Sequence, residues 1–336
     1  MSTTPGNNLI TDVEGLLVGN ASDEKAKTGV TVLLCEKPST ASCHVMGGAP
    51  GSRDTDLLSP ENTVGEVDAL FLAGGSAFGI DAGSGAMAAL KEMGRGFQVA
   101  DQRIPIVPGA ILFDMVNGGN KDWGNYPPHR ELGHQAVRAA AEDFSLGSHG
   151  AGTGALVAGL KGGLGSASAT LSGGGTIGAL AAVNALGTPC IANSRHFWAA
   201  PFEQENEFGG LGLPHPFPPE ARELKIKFRE EIAAGTNTTI AVIATDIALT
   251  KAECKRLAIA AHDGFARALW PAHTPLDGDM VFAVSTGRKP PPGGLDHWID
   301  LCALASSTMA RAIARGIFEA TPHENDIFPC WKSLWG

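Results

Sequence analysis

The sequence predicts an α/β protein made of closely packed layers. Three observations carry this reading. Hydrophobic residues make up 43% of the 336 positions and charged residues only 18%, which is enough for a sizeable core. Glycine occurs 44 times, and a Gly- and Ala-rich chain with few charges suits layers whose backbones approach closely. After residue 238 the apolar patterning runs strand, helix, strand, helix.

Residues 15–35 read as strand material. Thr28-Gly29-Val30-Thr31-Val32-Leu33-Leu34-Cys35 is rich in β-branched residues. A Gly-rich loop follows from Met46 to Ser52. Val67–Leu72 is a short buried strand that runs into Ala73-Gly74-Gly75-Ser76-Ala77-Phe78-Gly79. An Ala/Gly helix continues through Leu90 and Met93 and stops at Gly94-Arg95-Gly96. Ile104–Asp114 reads as a strand pair about a Pro-Gly turn. An Ala-rich helix is expected around 133–143. Ser166–Leu171 and Ile177–Val183 are strand-like pieces between Gly turns, although the second would also suit a helix.

A Pro-rich excursion then ends in a charged helix expected from Glu220 to Ala234. This helix delivers the chain to Gly235-Thr236-Asn237-Thr238-Thr239 and the strand beyond. Thr250-Lys251-Ala252-Glu253 is a capping box opening a helix to about Leu269. Met280–Thr286 reads as a strand and Leu295–Phe318 as a long apolar helix. The whole chain reads as one domain.

The net charge of −10 argues against nucleic acid, whose phosphates need clustered Lys and Arg. Lys225-Ile226-Lys227 and Lys255-Arg256 read as solvated helix faces. No apolar window suggests a membrane span, and the N-terminus lacks the charged and apolar regions of a secretory signal. The six cysteines are dispersed, so free thiols in a cytoplasmic protein are expected. The ten histidines have no metal-binding spacing, and neither a metal nor a cofactor is expected. Gly150-Ala151-Gly152-Thr153-Gly154-Ala155 loosely fits a dinucleotide fingerprint. It lacks the acidic residue expected about 20 positions on, and reads better as tight packing.

Four features could carry chemistry. The first is Thr238, a hydroxyl residue at a strand start. A mid-chain threonine has no base of its own. Cutting the bond before it would create an α-amine with a pKa of about 7.7–8.0, able to activate the hydroxyl. An ordinary strand start explains the residues equally well. Lys161 is a lone cation in an apolar, Gly-rich run. It would stabilise negative charge, or simply snorkel at a turn. Asn184 closes an apolar segment and could aim its amide at an oxyanion, or serve as a turn residue. Asp277 and Asp279, separated by Gly278, could orient a hydroxyl and an amine, or form a solvated turn.

Ala73–Gly79 together with the segment Asn237–Gly287 makes the chain resemble the L-aminopeptidase/D-esterase family. That family includes β-peptidyl aminopeptidases and the nylon-oligomer endo-hydrolase. The resemblance runs over nearly the whole chain. It implies an αββα sandwich of the N-terminal nucleophile hydrolase type, made as one precursor that cleaves itself. The implied cut lies between Asn237 and Thr238, giving chains 1–237 and 238–336, with Thr238 as nucleophile. Lys161, Asn184, Asp277 and Asp279 match the family's other catalytic positions in its nylon-type branch. The implied substrate contacts are Ser76, Phe78 and Phe113. Family members often carry a Tyr where this chain has Phe113, which has no side-chain donor. The resemblance implies a small peptide or amide as substrate and a homo-oligomer of cleaved protomers as the working form. An acyltransferase on the same type of fold and an uncleaved binding protein are the alternative readings.

Overall fold

The computed structural model describes residues 6–229 and 237–336. The strands of its first half are β1 (Leu16–Asp23), β2 (Thr28–Val45), β3 (Ser52–Arg53), β4 (Glu66–Ala73), β5 (Phe97–Val99), β6 (Gln102–Ile104) and β7 (Gly109–Ile111). Helix α1 (Ala82–Glu92) follows β4, and α2 (His129–Arg138) follows β7. Then come β8 (Leu156–Val157), β9 (Leu160–Lys161), β10 (Gly163–Thr170), β11 (Thr176–Asn184), β12 (Thr238–Ile247), α3 (Lys251–Ala268), β13 (Met280–Lys289), α4 (Leu295–Phe318) and α5 (Trp331–Trp335).

Nine strands join one hydrogen-bonded path, in the order β10-β11-β12-β13-β2-β4-β7-β3 with β1 also on β2. The long strand β2 folds this path into two layers. Its residues 28–35 pair with β1 and β4, and its residues 40–45 pair with β13, with a register shift between Leu34 and Ser39. Three apolar cores separate the layers. Leu33, Leu70, Leu180, Val242 and Phe282 fill the space between the sheets. Val32, Phe71, Ala86 and Ala136 seat α1 and α2 on one outer face. Ile243, Val281, Leu257, Phe265 and Met309 seat α3 and α4 on the other. The result is the αββα sandwich. Because both faces of each sheet are covered, Ile240, Val242 and Ala244 enter one core while Ala241 and Ile243 enter another.

Small residues permit this packing. A methyl group on Gly165 in β10 would lie 1.8 Å from the carbonyl oxygen of Ala312 in α4, so only glycine allows the helix to sit so close. In the same way Gly152 lies against the backbone of Leu164. The 150–155 segment is therefore packing material, as the sequence suggested.

The structure differs from expectation in three places. Ile104 and Gly109 do not belong to one strand pair: β6 pairs with β5, and β7 pairs with β3 and β4. Pro105 and Pro108 lack N–H groups, and Ile106 instead exchanges hydrogen bonds with Asp68. Helix α2 stops at Arg138, because Ala141 exchanges both backbone hydrogen bonds with Val18 of β1. Within 220–229 the expected charged helix is only a 3₁₀ turn, Pro219–Arg222. Residues 230–234, like Gly235 and Thr236, lie outside the described residues.

Candidate active site

Antiparallel pairing of β11 with β12 sets Asn184 directly opposite Thr238. Both residues share strand parity with the inter-sheet core residues Leu180, Ala182, Ile240 and Val242. Alternation therefore turns both side chains toward the space between the sheets, at the end of the sandwich. The parallel neighbour β13 starts at Met280, level with Ile240, so the turn Asp277-Gly278-Asp279 lies beside Asn237 and Thr238. An isolated parallel bridge links Asn237 to Asp277.

The backbone around Thr238 is tightly held. The Thr238 hydroxyl donates to the carbonyl oxygen of Asn237. The same carbonyl accepts the Gly278 N–H at 2.9 Å. Asp279 accepts the Thr239 N–H through Oδ1 at 2.8 Å. Asp277 accepts from Thr274 through Oδ2 and from the Leu186 N–H through Oδ1 at 3.2 Å. Asn237, Thr238, Asp277 and Asp279 are all buried. Burial, then repulsion from Asp279, pushes the Asp277 pKa up.

His273 stands behind Asp279, with its Nδ1 2.9 Å from Oδ2. Burial alone would lower the His273 pKa. The hydrogen bond and charge of Asp279 outweigh that and hold it above the ordinary histidine value. His273 packs edge-on against His262, their ring centroids 4.9 Å apart. His273 was assigned no role from the sequence.

Asn184 bridges to the opposite sheet. Its Nδ2 donates to the carbonyl oxygen of Phe113 at 2.9 Å, just beyond β7. Phe113 thus meets the site through its main chain, which does not depend on the missing tyrosine hydroxyl. Ser76 follows Gly75, which has φ +84°, and its N–H donates to Leu112 beside Phe113. Phe78 is half exposed and packs edge-on against Trp123. Ser76 therefore neighbours the Leu112–Phe113 main chain that Asn184 reaches.

Lys161 is buried, and its ammonium lies 2.8 Å from Asp326. Asp326 also pairs with Lys27 at 2.8 Å. Burial raises the Asp326 pKa, but the two lysines overcome this and hold it low. Among the described residues no hydrogen bond joins Lys161 to Thr238. Instead Lys161 pairs across the β8–β9 hairpin with Leu156, whose N–H donates to Asn184 Oδ1 at 2.9 Å.

A second lysine reaches the site, and the sequence reading missed it. Lys227 was assigned to a solvated helix face. It is in fact 3% exposed, and its Nζ lies 3.1 Å from Asn184 Oδ1. Its only local signal was the apolar Ile226 beside it, which cannot be told from an ordinary surface pattern.

A cavity of about 600 Å³ lined by Thr40, Glu66, Phe97, Thr250 and Lys251 opens at the opposite end of β12. It contains none of the residues around Thr238. The described residues include no cluster suited to a metal ion and no helix long and apolar enough to cross a membrane.

Comparison with known proteins identifies the family and the fold. The family model "Peptidase family S58" matches residues 8–326. An uncharacterised aminopeptidase of Mycobacterium tuberculosis is 43% identical, over 96% of this chain and 98% of that protein. A 6-aminohexanoate-oligomer endohydrolase of Paenarthrobacter ureafaciens is 28% identical, over 82% of this chain and 74% of that protein. A Burkholderia β-aminopeptidase structure superposes with a TM-score of 0.70 at 23% identity, covering 97% of this chain and 90% of that one. The L-aminopeptidase D-Ala-esterase/amidase of Ochrobactrum anthropi, described as a variant of the Ntn hydrolase fold, gives 0.70 at 21%, covering 99% and 94%. The chain belongs to peptidase family S58 and is a peptide-bond hydrolase with the fold of the Ntn hydrolases.

Proposed function

We propose that the chain cuts itself between Asn237 and Thr238, and that the new Thr238 terminus then hydrolyses amide bonds of small substrates. One observation carries this reading. The carbonyl of Asn237 accepts both the hydroxyl of the next residue and the Gly278 N–H at 2.9 Å. The nucleophile and a donor for developing negative charge thus both sit at the bond to be broken.

In self-cleavage, Thr238 Oγ1 attacks the Asn237 carbonyl carbon and the hydroxyl proton passes to the departing nitrogen. An ester replaces the amide. Water hydrolyses that ester, leaving the Asn237 carboxylate and a free Thr238 amine and hydroxyl. The products are chains 1–237 and 238–336. In turnover the neutral α-amine takes the hydroxyl proton, and Oγ1 attacks a substrate amide. The leaving amine takes the proton, and water releases the acyl group. Asn184 donates to the oxyanion. Asp279, held by His273, orients the start of β12 through Thr239, and Asp277 fixes the adjoining turn. Lys161, paired with Asp326, supports the hairpin that holds Asn184.

Ser76, Phe78 and Phe113 line the approach to Thr238. The substrate class is a short peptide, an amino-acid amide or an ω-amino-acid oligomer. The names of the relatives support this range, as does the half-exposed aromatic rim. The working form is an assembly of cleaved protomers in the cytoplasm.

The test is a denaturing gel of purified protein with mass measurement of each band. Two fragments ending at Asn237 and starting at Thr238 are expected, with one uncut band for Thr238→Ala. Full activity in wholly uncut protein would overturn the reading.

A further inference from the structure

Three acceptors surround the ammonium of Lys227. It donates to the carbonyl oxygens of Leu156 at 2.8 Å and Asn184 at 3.1 Å, and to Asn184 Oδ1 at 3.1 Å. Its own N–H donates to the carbonyl of Leu186 at 2.9 Å. The Leu186 N–H in turn donates to Asp277. Lys227 thus reaches both sides of the site from the segment just upstream of the scissile bond. Among the described residues Asp277 is the charged group that faces it.

An asparagine amide can be turned either way round with little change in shape. Here Oδ1 receives two donors, Leu156 N–H and Lys227 Nζ. If the amide turned over, Nδ2 would face those donors and Oδ1 would face the Phe113 carbonyl. Both contacts would be repulsive. The Lys227 cradle therefore favours the orientation in which Oδ1 faces Leu156 and Nδ2 faces Phe113.

We propose that Lys227 is a positioning residue of this site: its ammonium locks the Asn184 amide with Oδ1 toward Leu156 and Nδ2 toward Phe113, and ties the chain at residue 227 to it. The role in turnover rests on the self-cleaving reading above, while the lock itself does not. Three acceptors require three N–H donors, which only the charged amine supplies. Burial meanwhile draws the Lys227 pKa down to about 7. The lock is complete below that pH and loses one donor above it.

The test has two arms. The first uses Thr238→Ala protein, which needs neither cleavage nor turnover. With ¹⁵N-labelled asparagine, the Asn184 side-chain amide signals are followed across pH 5.5–9. They should titrate with a midpoint near 7 (the value that burial gives Lys227). In Lys227→Met they should move or broaden and stop titrating, and Lys227→Arg should restore a fixed, pH-independent position. Lys227→Gln, which keeps N–H donors without charge, serves where the methionine variant melts early.

The second arm uses the cut enzyme. Lys227→Met should lower kcat by about 10²-fold, the scale of a lost oxyanion donor, with KM little changed. Lys227→Arg should abolish any alkaline fall in kcat that begins near pH 7. Asn184 signals indifferent to Lys227→Met and Lys227→Gln would overturn the proposal whatever the activity. A normal first arm with no cleavage in wild type would instead overturn only the self-cleaving reading.

Discussion

The Gly278 N–H points at the carbonyl oxygen of Asn237 from 2.9 Å, while the hydroxyl of Thr238 reaches that same oxygen from within its own residue pair. In the proposed self-cleavage this main-chain donor would stabilise the tetrahedral intermediate. It also explains why the position between two aspartates is glycine. A methyl group there would lie 2.6 Å from Thr238 Oγ1 and 2.8 Å from the carbonyl oxygen of Ala49.

Gly278→Ala is therefore expected to slow self-cleavage by about 10²-fold, the scale that a displacement of about 1 Å costs at a reacting centre. A time course of band conversion on denaturing gels measures it. Cutting at the wild-type rate would remove Gly278 from the mechanism.

In the continuous chain Asn184 Nδ2 donates to the Phe113 carbonyl at 2.9 Å, and the Asn237 carbonyl accepts the Gly278 N–H at 2.9 Å. Under the proposed mechanism Gly278 serves self-cleavage and Asn184 serves turnover. Asn184→Ala should cut itself within about 10-fold of the normal rate, yet turn over substrate about 10²–10³-fold more slowly. Measuring both rates on one preparation decides it, and equal losses would show a shared donor.

Asp326 holds two buried lysines, Lys161 and Lys27, each at 2.8 Å. Asp326→Asn strands both charges. Asp326 is itself only partly buried, so water screens the pair and the cost is about 1–3 kcal/mol, below that of a fully buried pair. Urea denaturation of the Thr238→Ala protein with and without the change should show that loss. A midpoint unchanged by the substitution would mean that water already carries the charges.

His262 is buried against His44 and His273, and burial draws its pKa down to about 4. The unfolded chain, with an ordinary histidine value near 6.5, binds a proton that the folded chain refuses between those limits. The contribution of His262 to stability is therefore undiminished above about pH 6.5 and is lost as pH falls toward 4. In the Thr238→Ala background, His262→Phe should lose less melting temperature between pH 7 and pH 4.5 than the parent does. Parallel melting curves across that range would refute the assignment.

Much of the architecture was legible locally. The β-branched run at 28–35, the capping box at Thr250–Glu253 and the long apolar stretch from Leu295 are all present as strand, capped helix and helix. Each depends on patterns within one window of sequence. Thr238 at a strand start and the Asp277-Gly278-Asp279 turn were visible for the same reason. Helix ends were less legible. Ala139–Ala141 has good helix propensity, but the edge of β1 offered Ala141 better partners.

The sequence by itself determined which residue types were available: a hydroxyl at a potential terminus, an amide, two carboxylates and a layer of small residues. Only the tertiary structure decided which lysine serves which group. Lys161, in its conspicuous apolar run, turns to Asp326, 165 positions away. Lys227, in a segment that looked solvated, is drawn inside to Asn184, 43 positions back. The cause is physical. A lone buried charge is costly, so each lysine ends where the folded backbone supplies enough acceptors, and that supply is created by the meeting of strands distant in the chain.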